Sequence, residues 1–274
     1  MDFFSGEAPQ VNLDHFTGWI LHEDKDLLVL DKPGWLVCHP SKNGPFSSLV
    51  GAAKEYLGVA SVHLASRLDR ETSGVVIMAK HRKAASHWQK GIEAKSVRRS
   101  YIAILQGHIA DPVKVSGYIG KDNQSTVFVK QMMVPKSRKS KFSETVFIPL
   151  AQGGGFTICL VQTKTGRKHQ IRVHASHMDF PLLGDKLYGP DEQIYLDFCT
   201  SGWNEHWRST LFLPRQALHG RMVYDFTANI GFKANLPCEL EEFIQRHILA
   251  DGEALQKLID KADSLFTTTT NLSI

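Results

Sequence analysis

An aspartate between two arginines is the first feature of this 274-residue sequence that could do chemistry. Asp69 lies between Arg67 and Arg70 in the segment SRLDRETSGVVIMAK, residues 66–80. A neighbouring cation lowers the pKa of a carboxyl group and keeps it ionised, and an ionised carboxylate held in place can act as a nucleophile or a base. Taken alone, the pattern favours a simpler interpretation, an exposed ion pair that contributes little to stability.

A second candidate cluster lies in TKTGRKHQIRVHAS, residues 163–176. Gly166 permits a tight turn. A helix that begins near Lys168 would place His169 and Arg172 on one face. Arg172 could then reach a carboxylate that another segment carries.

A metal site formed by His169, His174 and His177 is an alternative use of this cluster. The spacing differs from HExxH, and the neighbouring Arg and Lys side chains would repel a cation. The four cysteines contain no CxxC pair, which predicts a reducing compartment and no zinc cluster. The sequence also lacks a P-loop, a GxGxxG motif after a strand, a GxSxG elbow and the H-x-E…P-C-x-x-C pattern of zinc deaminases. We therefore expect neither a metal nor a cofactor.

Tyr101 is the third candidate, in the strand-like segment RRSYIAILQG, residues 98–107. A tyrosine in a strand usually packs in the core or in an interface, and that interpretation is favoured for the residue alone. A buried phenol beside a charged pair could instead act as an acid or a base.

The elements that must position these residues are runs of adjacent strands with helices interspersed. Segments typical of strands are 19–21, 27–30, 74–80, 99–109, 113–120, 126–134, 143–151, 156–163 and 217–226. Segments typical of helices are 46–57, 81–95, 169–178 and 238–262, and a long irregular loop is expected over 185–215. This order predicts an α+β fold with a mixed, largely antiparallel central sheet flanked by helices and loops.

Positive charge is concentrated in three segments, although the net charge is only +4. They are residues 96–101, 134–142 and 163–174. A basic face is what a phosphate backbone selects, but lysine-rich surface loops give the same pattern, and charge alone leaves both open. No apolar run approaches the ~20 residues of a membrane span, and the first residues do not form a signal peptide, so we expect a cytoplasmic protein.

Five segments, in order, match the motifs of one family. They are LDKPGWLVCHPS (30–41), SRLDRETSGVVIMAK (66–80), RRSYIAILQG (98–107), TGRKHQIRVHASHMDFPLLGDKLYG (165–189) and ALHGRMVYDF (217–226). From about residue 18 to residue 245 the chain resembles the RluA family of RNA pseudouridine synthases. The resemblance implies a pseudouridine synthase-like catalytic fold over 18–250 and an isomerase that converts a specific uridine of ribosomal or transfer RNA to pseudouridine. Residues 1–17 are expected to form a flexible segment, and residues 251–274 a C-terminal helix with a polar tail.

The resemblance also implies a role for each matched residue. Asp69 would act on a flipped-out target uridine, Arg172 would pair with that carboxylate, and Tyr101 would stack against the uracil and move a proton. Arg67 would help to fill the gap left by the flipped base, and Leu218 would pack under the ring. Phosphate contacts are assigned to the basic cluster of Lys164, Arg167, Lys168 and His169.

The implied isomerisation involves no redox change and no energy input, which agrees with the missing cofactor motifs. The sequence departs from the family at Ser66, where a histidine is usual, and at Gly220, where an alanine is usual. Two other functions stay open: an RNA-binding protein without isomerase activity, and a different enzyme on the same scaffold, such as a nucleoside or sugar hydrolase. A stem-loop RNA is the expected partner, and a monomer is the expected state.

Overall fold

The computed structural model describes residues 9–39 and 43–268, and the chain divides into two compact units. Unit 1 takes the described residues of Met1–Arg99 together with His219–Leu236. Unit 2 takes the described residues of Ser100–Leu218 and Pro237–Ile274. The last two residues of the first motif, 40–41, and the end of the predicted polar tail, 269–274, lie outside the described residues.

Unit 1 contains a sheet in which one central strand pairs on both sides. Its strands are β1 (Ile20–Glu23), β2 (Leu27–Lys32), β3 (His63–Leu64), β4 (Ser73–Ala79), the part of β10 (Leu218–Asp225) from His219 onward, and β11 (Ile230–Lys233). β4 pairs antiparallel with β2 and β3 and parallel with β10, which in turn pairs antiparallel with β11. The predicted β1–β2 hairpin is confirmed, and the Asp24 carboxylate accepts the amide protons of Asp26 and Leu27 at its turn.

Both faces of β4 are buried, since successive side chains of a strand point to opposite faces. On one face Val76 and Met78 pack with residues of α1 (Leu13–Thr17) and α2 (Leu49–Leu57). On the other face Val75 and Ile77 pack with residues of α3 (Arg82–Glu93).

The segment that was predicted to be flexible, residues 1–17, contains a short helix at its C-terminal end. Leu13–Thr17 form α1, and the Asn12 side chain caps this helix by accepting the amide proton of Asp14. Phe16 is fully buried, so the core holds this turn in place. The domain boundaries at 18 and 250 otherwise stay a prediction.

Unit 2 contains an antiparallel sheet with the strand order β5-β9-β8-β6-β7. The strands are β5 (Val97–Gln106, from Ser100 onward), β6 (Val113–Lys121), β7 (Gln131–Val134), β8 (Lys141–Gly153) and β9 (Phe156–Thr163). β9 is buried along its whole length. Val161 of β9 lies opposite Tyr101 on one side and opposite Phe147 on the other. Directly paired residues share a face of a sheet, so these three side chains lie on the same face.

The helices of unit 2 come from one segment predicted as a helix (169–178), one predicted as a loop (185–215) and one predicted as a single longer helix (238–262). They are α4 (Gln170–His177), α5 (Gln193–Ser201), α6 (Arg208–Leu211), α7 (Cys238–His247) and α8 (Gly252–Thr268). The prediction of an irregular loop over 185–215 is therefore wrong in part, because α5 buries Ile194 and Phe198 one helical turn apart. The predicted helix over 238–262 is two helices, and the Asp251 carboxylate accepts the amide proton of Glu253 where the second one starts.

The predicted strand over 126–134 is wrong in its first half, since β7 starts at Gln131. The Asp122 carboxylate accepts the amide protons of Gln124 and Ser125 and turns the chain. Val127 is then buried against Val173 of α4, and pairing with β6 begins only at Gln131.

The α+β class with a largely antiparallel sheet is confirmed. Within residues 9–39 and 43–268, no helix combines the length and the apolar composition needed to cross a bilayer.

Two glycines that face each other in unit 1 provide a test of this packing. Gly74 has a φ of +113°, and a Cβ there would lie 2.2 Å from the Gly220 carbonyl oxygen. A Cβ on Gly220 would meet nothing closer than Leu68 Cδ1 at 3.5 Å. We expect Gly74→Ala to lower the free energy of unfolding by about 2–4 kcal/mol, and Gly220→Ala to leave it unchanged or raise it by up to about 1 kcal/mol. Urea denaturation of both variants checks this, and equal losses would contradict the described approach of β4 and β10.

Candidate active site

Asp69 lies in unit 1, in the short segment between β3 and β4. The Thr72 amide donates to the Asp69 carbonyl oxygen at 3.2 Å and closes a turn directly before β4. Thr72 and Ser73 are buried, whereas Asp69 is partly exposed. The turn therefore carries the aspartate at the start of a buried central strand.

Two cations hold this turn against the loop that follows β2. Lys32 is fully buried, and its ammonium group donates to three carbonyl oxygens, those of Pro33, Leu36 and Arg70, at 2.8, 2.8 and 3.0 Å. Arg70 Nε donates to the Trp35 carbonyl oxygen at 3.2 Å. A buried charge is stable only when it is hydrogen-bonded, so these contacts fix the backbone on the C-terminal side of Asp69. Arg70 thus has a positioning role that its place in the sequence did not reveal.

Replacing Lys32 should loosen this arrangement. We expect Lys32→Met to lower the free energy of unfolding by about 3 kcal/mol, because three carbonyl oxygens lose their donor in the protein interior. Lys25→Met, at an exposed position in the β1–β2 turn, is the matched control. Urea denaturation measures both variants. A change of less than about 0.5 kcal/mol in Lys32→Met, the range of ordinary surface substitutions, would contradict the role of Lys32.

Arg67 lies on the exposed side of the same turn, where its Nη1 contacts His39 Nε2. Partial burial, and then the Arg67 charge, lower the pKa of His39. The neutral imidazole accepts the hydrogen bond from the guanidinium group, since arginine has only donors.

Leu218 and Tyr101, both in unit 2, are buried residues of strands. Leu218 opens β10 and is 4% exposed, and Tyr101 in β5 is 7% exposed. The next residue after Leu218, His219, is fully buried in unit 1. Its Nδ1 lies 2.9 Å from Ser73 Oγ, and its Nε2 lies 3.2 Å from the Ala234 carbonyl oxygen. Since a carbonyl oxygen only accepts, Nε2 carries the proton and Nδ1 accepts from Ser73.

Arg172, on α4, forms a buried ion pair with Asp185. Arg172 Nε donates to Asp185 Oδ2 at 2.7 Å and Nη2 donates to Oδ1 at 2.8 Å. Oδ1 also accepts the amide protons of Leu187 and Tyr188, each at 3.0 Å. Full burial would by itself raise the pKa of Asp185, but the Arg172 charge and these hydrogen bonds outweigh it and hold the pKa below its usual value. Sequence reasoning missed Asp185, although its motif GDKLYG lies inside the fourth matched segment.

His169 lies outside the helix that was expected to carry it. The helix begins at Gln170, and His169 has a left-handed backbone with φ of 55°. Its Nδ1 lies 2.8 Å from the Tyr188 hydroxyl, which accepts the Gln131 amide proton at 2.9 Å. A hydroxyl group can take part in both hydrogen bonds, so Tyr188 joins the His169 imidazole to the Gln131 amide. The Tyr188 ring lies 4.9 Å from Arg172 Cζ, so Arg172 and His169 are joined through Tyr188 and not through a shared helix face.

Gln170 fixes the turn that precedes α4. Its Oε1 accepts from Thr165 Oγ1 at 2.6 Å and from the Arg167 amide at 3.0 Å. Its Nε2 donates to the Glu144 carbonyl oxygen and to Thr145 Oγ1. This buried amide is a positioning residue that sequence reasoning did not single out, although it lies inside the fourth matched segment.

The predicted phosphate-binding cations lie around this turn. Lys164 Nζ is 2.6 Å from Glu144 Oε1, so this cation already has an acidic partner. Arg167 is exposed, and its Nε donates to the Phe142 carbonyl oxygen at 2.8 Å. Lys168 is exposed. Arg167 and Lys168 are therefore better placed to meet a phosphate than Lys164 is.

His174 is one of the three histidines considered above as metal ligands, and it makes other contacts. His174 is fully buried, and burial, with a smaller effect of His177, lowers its pKa to about 4. Its Nε2 lies 2.9 Å from Ser143 Oγ, which donates to the Gly117 carbonyl oxygen. In the part of the chain that the structure describes, no three His, Cys, Asp or Glu side chains converge as metal ligands would.

The fold defines the class of protein. A solved structure of human RNA pseudouridylate synthase domain containing 4 matches this chain with a TM-score of 0.67 and 25% sequence identity, over 87% of this chain and 95% of that one. That structure and this one share the fold of the pseudouridine synthases.

The sequence comparisons define the family. A family model described as RNA pseudouridylate synthase matches residues 26–177. The uncharacterized RNA pseudouridine synthase YjbO of Bacillus subtilis is 32% identical over 235 residues, which are 82% of this chain and 75% of that protein. Ribosomal large subunit pseudouridine synthase D of Yersinia pestis is 28% identical over 250 residues, 88% and 74% of the two chains. The chain belongs to the RNA pseudouridylate synthases of the RluA family, and it is an isomerase that acts on RNA.

Proposed function

We propose that this synthase converts one specific uridine in ribosomal or transfer RNA to pseudouridine, with Asp69 as the catalytic carboxylate. The observation that carries the proposal is that the family match over 26–177 includes Asp69, Tyr101 and Arg172, each within the expected motif. The name of the Yersinia pestis relative supports ribosomal RNA as the first substrate to test.

Asp69 would act on the ribose of a uridine that has left its stack. A carboxylate can attack or stabilise carbon 1′ while the bond from that carbon to N1 of uracil breaks. The base then rotates, and C5 bonds to carbon 1′. One proton leaves C5 and one is gained at N1, so the reaction is balanced without a co-substrate. The turn that Lys32 and Arg70 hold supports this role, because a catalytic carboxylate must be kept in one orientation.

Tyr101 and Arg172 would complete the site. Tyr101 would stack on the uracil ring and transfer a proton, which its low exposure supports. Arg172 would pair with Asp69. A guanidinium group has five N–H donors and can bind two carboxylates, so the contacts that Arg172 makes with Asp185 are compatible with this second pair.

The remaining predicted residues would bind the RNA around the target. Arg67 would fill the space of the flipped base, and Leu218 would support the uracil ring. Arg167, Lys168 and His169 would contact phosphates at the start of α4, with Lys164 contributing less because of Glu144. We also propose a monomer that acts in the cytoplasm.

Release of tritium from C5-labelled uridine tests the proposed substrate. Either an unmodified large-subunit ribosomal RNA transcript or an unmodified transfer RNA transcript should release it, and free uridine should not. Equal release from free uridine would favour a nucleoside enzyme. Salt-sensitive binding of RNA without release would favour an RNA-binding protein.

A further inference from the structure

We propose that Phe128 and Lys121 form a nucleobase-stacking site on the loop between β6 and β7, for an RNA nucleotide outside the target uridine. The inference rests on RNA being the substrate. The ring would stack on a base, and the ammonium group would contact a phosphate of the same strand.

Phe128 is 78% exposed, so its ring contributes little to the hydrophobic core. Its two neighbours do the opposite: Val127 is 3% exposed, and Val129 packs on the same cluster. A single exposed apolar residue is ordinary on a protein surface. Phe128 differs from such a residue in the contacts that hold its loop and in the cation beside its ring.

The loop is fastened on both sides of Phe128. The Asp122 amide donates to the Lys130 carbonyl oxygen and closes the loop at its base. Ser125 Oγ and Lys130 Nζ lie 2.7 and 2.6 Å from the Glu192 carboxylate. The exposed ring thus lies on a rigid support, and a rigid aromatic side chain loses little entropy when a base stacks on it.

A cation lies over the ring. Lys121 Nζ is 4.2 Å from the centroid of the Phe128 ring. Within residues 9–39 and 43–268, no acidic side chain pairs with Lys121, so its charge can be used by an anionic ligand. An aromatic ring beside a cation is how many proteins bind single-stranded RNA, because every base has a face that can stack.

The loop also lies next to the residues that are proposed to bind RNA. Val127 and Val129 pack with Tyr188 and with Val173 of α4. Tyr188 in turn contacts His169 through its hydroxyl group. The loop that carries Phe128 and the turn that carries His169 are therefore joined through Tyr188 within unit 2.

Binding of a fluorescein-labelled single-stranded RNA decamer of mixed sequence to the full chain tests the site. We expect Phe128→Ala to raise the Kd by about 5- to 100-fold, the usual cost of losing one stacked base. Phe128→Trp should keep a Kd close to that of the wild type, whereas Phe128→Leu should behave like Phe128→Ala. Ile230→Ala, at another exposed apolar side chain, is the matched control. Wild-type binding by Phe128→Leu or by Phe128→Ala would overturn the stacking site.

Binding of inorganic polyphosphate, which has charge but no bases, distinguishes the role of Lys121 from the role of Phe128. Lys121→Gln should weaken binding of both probes, and Phe128→Ala should weaken binding of RNA alone. Loss of self-association in Phe128→Ala, measured by sedimentation velocity, together with normal RNA binding would assign the surface to a second copy of the chain and overturn the proposal. Normal RNA binding by Phe128→Ala beside an active wild type would refute the stacking site and leave the proposed function standing. If Phe128→Ala lost RNA binding while the wild type released no tritium, the stacking site would stand and the proposed function would be refuted.

Discussion

Asp69→Asn is expected to abolish isomerisation, with a loss of about 10⁴-fold or more in turnover, while the protein stays folded. The amide has the size of the carboxylate but cannot act as an ionised nucleophile or base at carbon 1′. Asp69 is partly exposed, and the turn around it is held by the side chains of Lys32 and Arg70, which donate to backbone carbonyl oxygens. The fold should therefore tolerate the change. Tritium release from C5-labelled RNA measures the activity.

Asp111→Asn is the control for this variant, because Asp111 is an exposed acidic residue on a connection of unit 2. It should keep wild-type activity. Both variants should unfold at the urea concentration of the wild type. Full activity in a folded Asp69→Asn variant would remove Asp69 from the mechanism.

The second large effect is expected from Asp185→Asn. This change leaves the buried Arg172 guanidinium opposite a neutral amide, and the loss of one partner of a buried ion pair costs about 3–5 kcal/mol. The neutral side chain would also take the place of the carboxylate oxygen, Oδ1, that now accepts the backbone amide protons of Leu187 and Tyr188. We expect the free energy of unfolding to fall by that amount. Turnover of the folded fraction should fall as well, because Arg172 loses its orientation.

Glu205→Gln is the matched control, since the Glu205–Arg208 pair has a similar distance of 2.7 Å but is well exposed. It should unfold close to the urea concentration of the wild type, because exposed ion pairs contribute little to stability. The pH dependence has a defined sign as well. The pKa of Asp185 is lowered by folding, so the stabilisation is present above the ordinary carboxyl pKa and is lost as the pH falls through the folded value. If Asp185→Asn and Glu205→Gln lowered the free energy of unfolding equally at neutral pH, this would contradict the larger contribution to stability expected of the buried pair.

Regular elements could be predicted from the sequence where one periodicity dominates. The β1–β2 hairpin follows from two apolar runs with turn residues between them, and α3 follows from a segment of helical composition and length. The prediction failed over 126–130, because the alternation of Val127, Phe128 and Val129 resembles a strand. The exposed Phe128 belongs to a loop that Asp122 and Glu192 hold by side-chain contacts, which alternation does not report.

The residues of the candidate site also differ in how far the sequence alone points to them. Asp69, Tyr101 and Arg172 could be proposed from the sequence because they lie in contiguous motifs, and their roles stay a prediction. Lys32 and Arg70 could not be assigned, because both bind backbone carbonyl oxygens, which every residue has. Asp185 lies in the fourth matched segment but was missed, because its pairing with Arg172 requires the chain to fold back over thirteen residues.

Pseudouridine mapping of total RNA tests the central claim most directly. RNA from a strain that lacks this protein should be compared with RNA from the same strain carrying either the wild-type chain or Asp69→Asn. We predict one uridine position in ribosomal or transfer RNA that is pseudouridine with the wild-type chain and stays uridine in the other two strains. An identical pseudouridine map in all three strains, with both proteins present at equal levels, would contradict the claim.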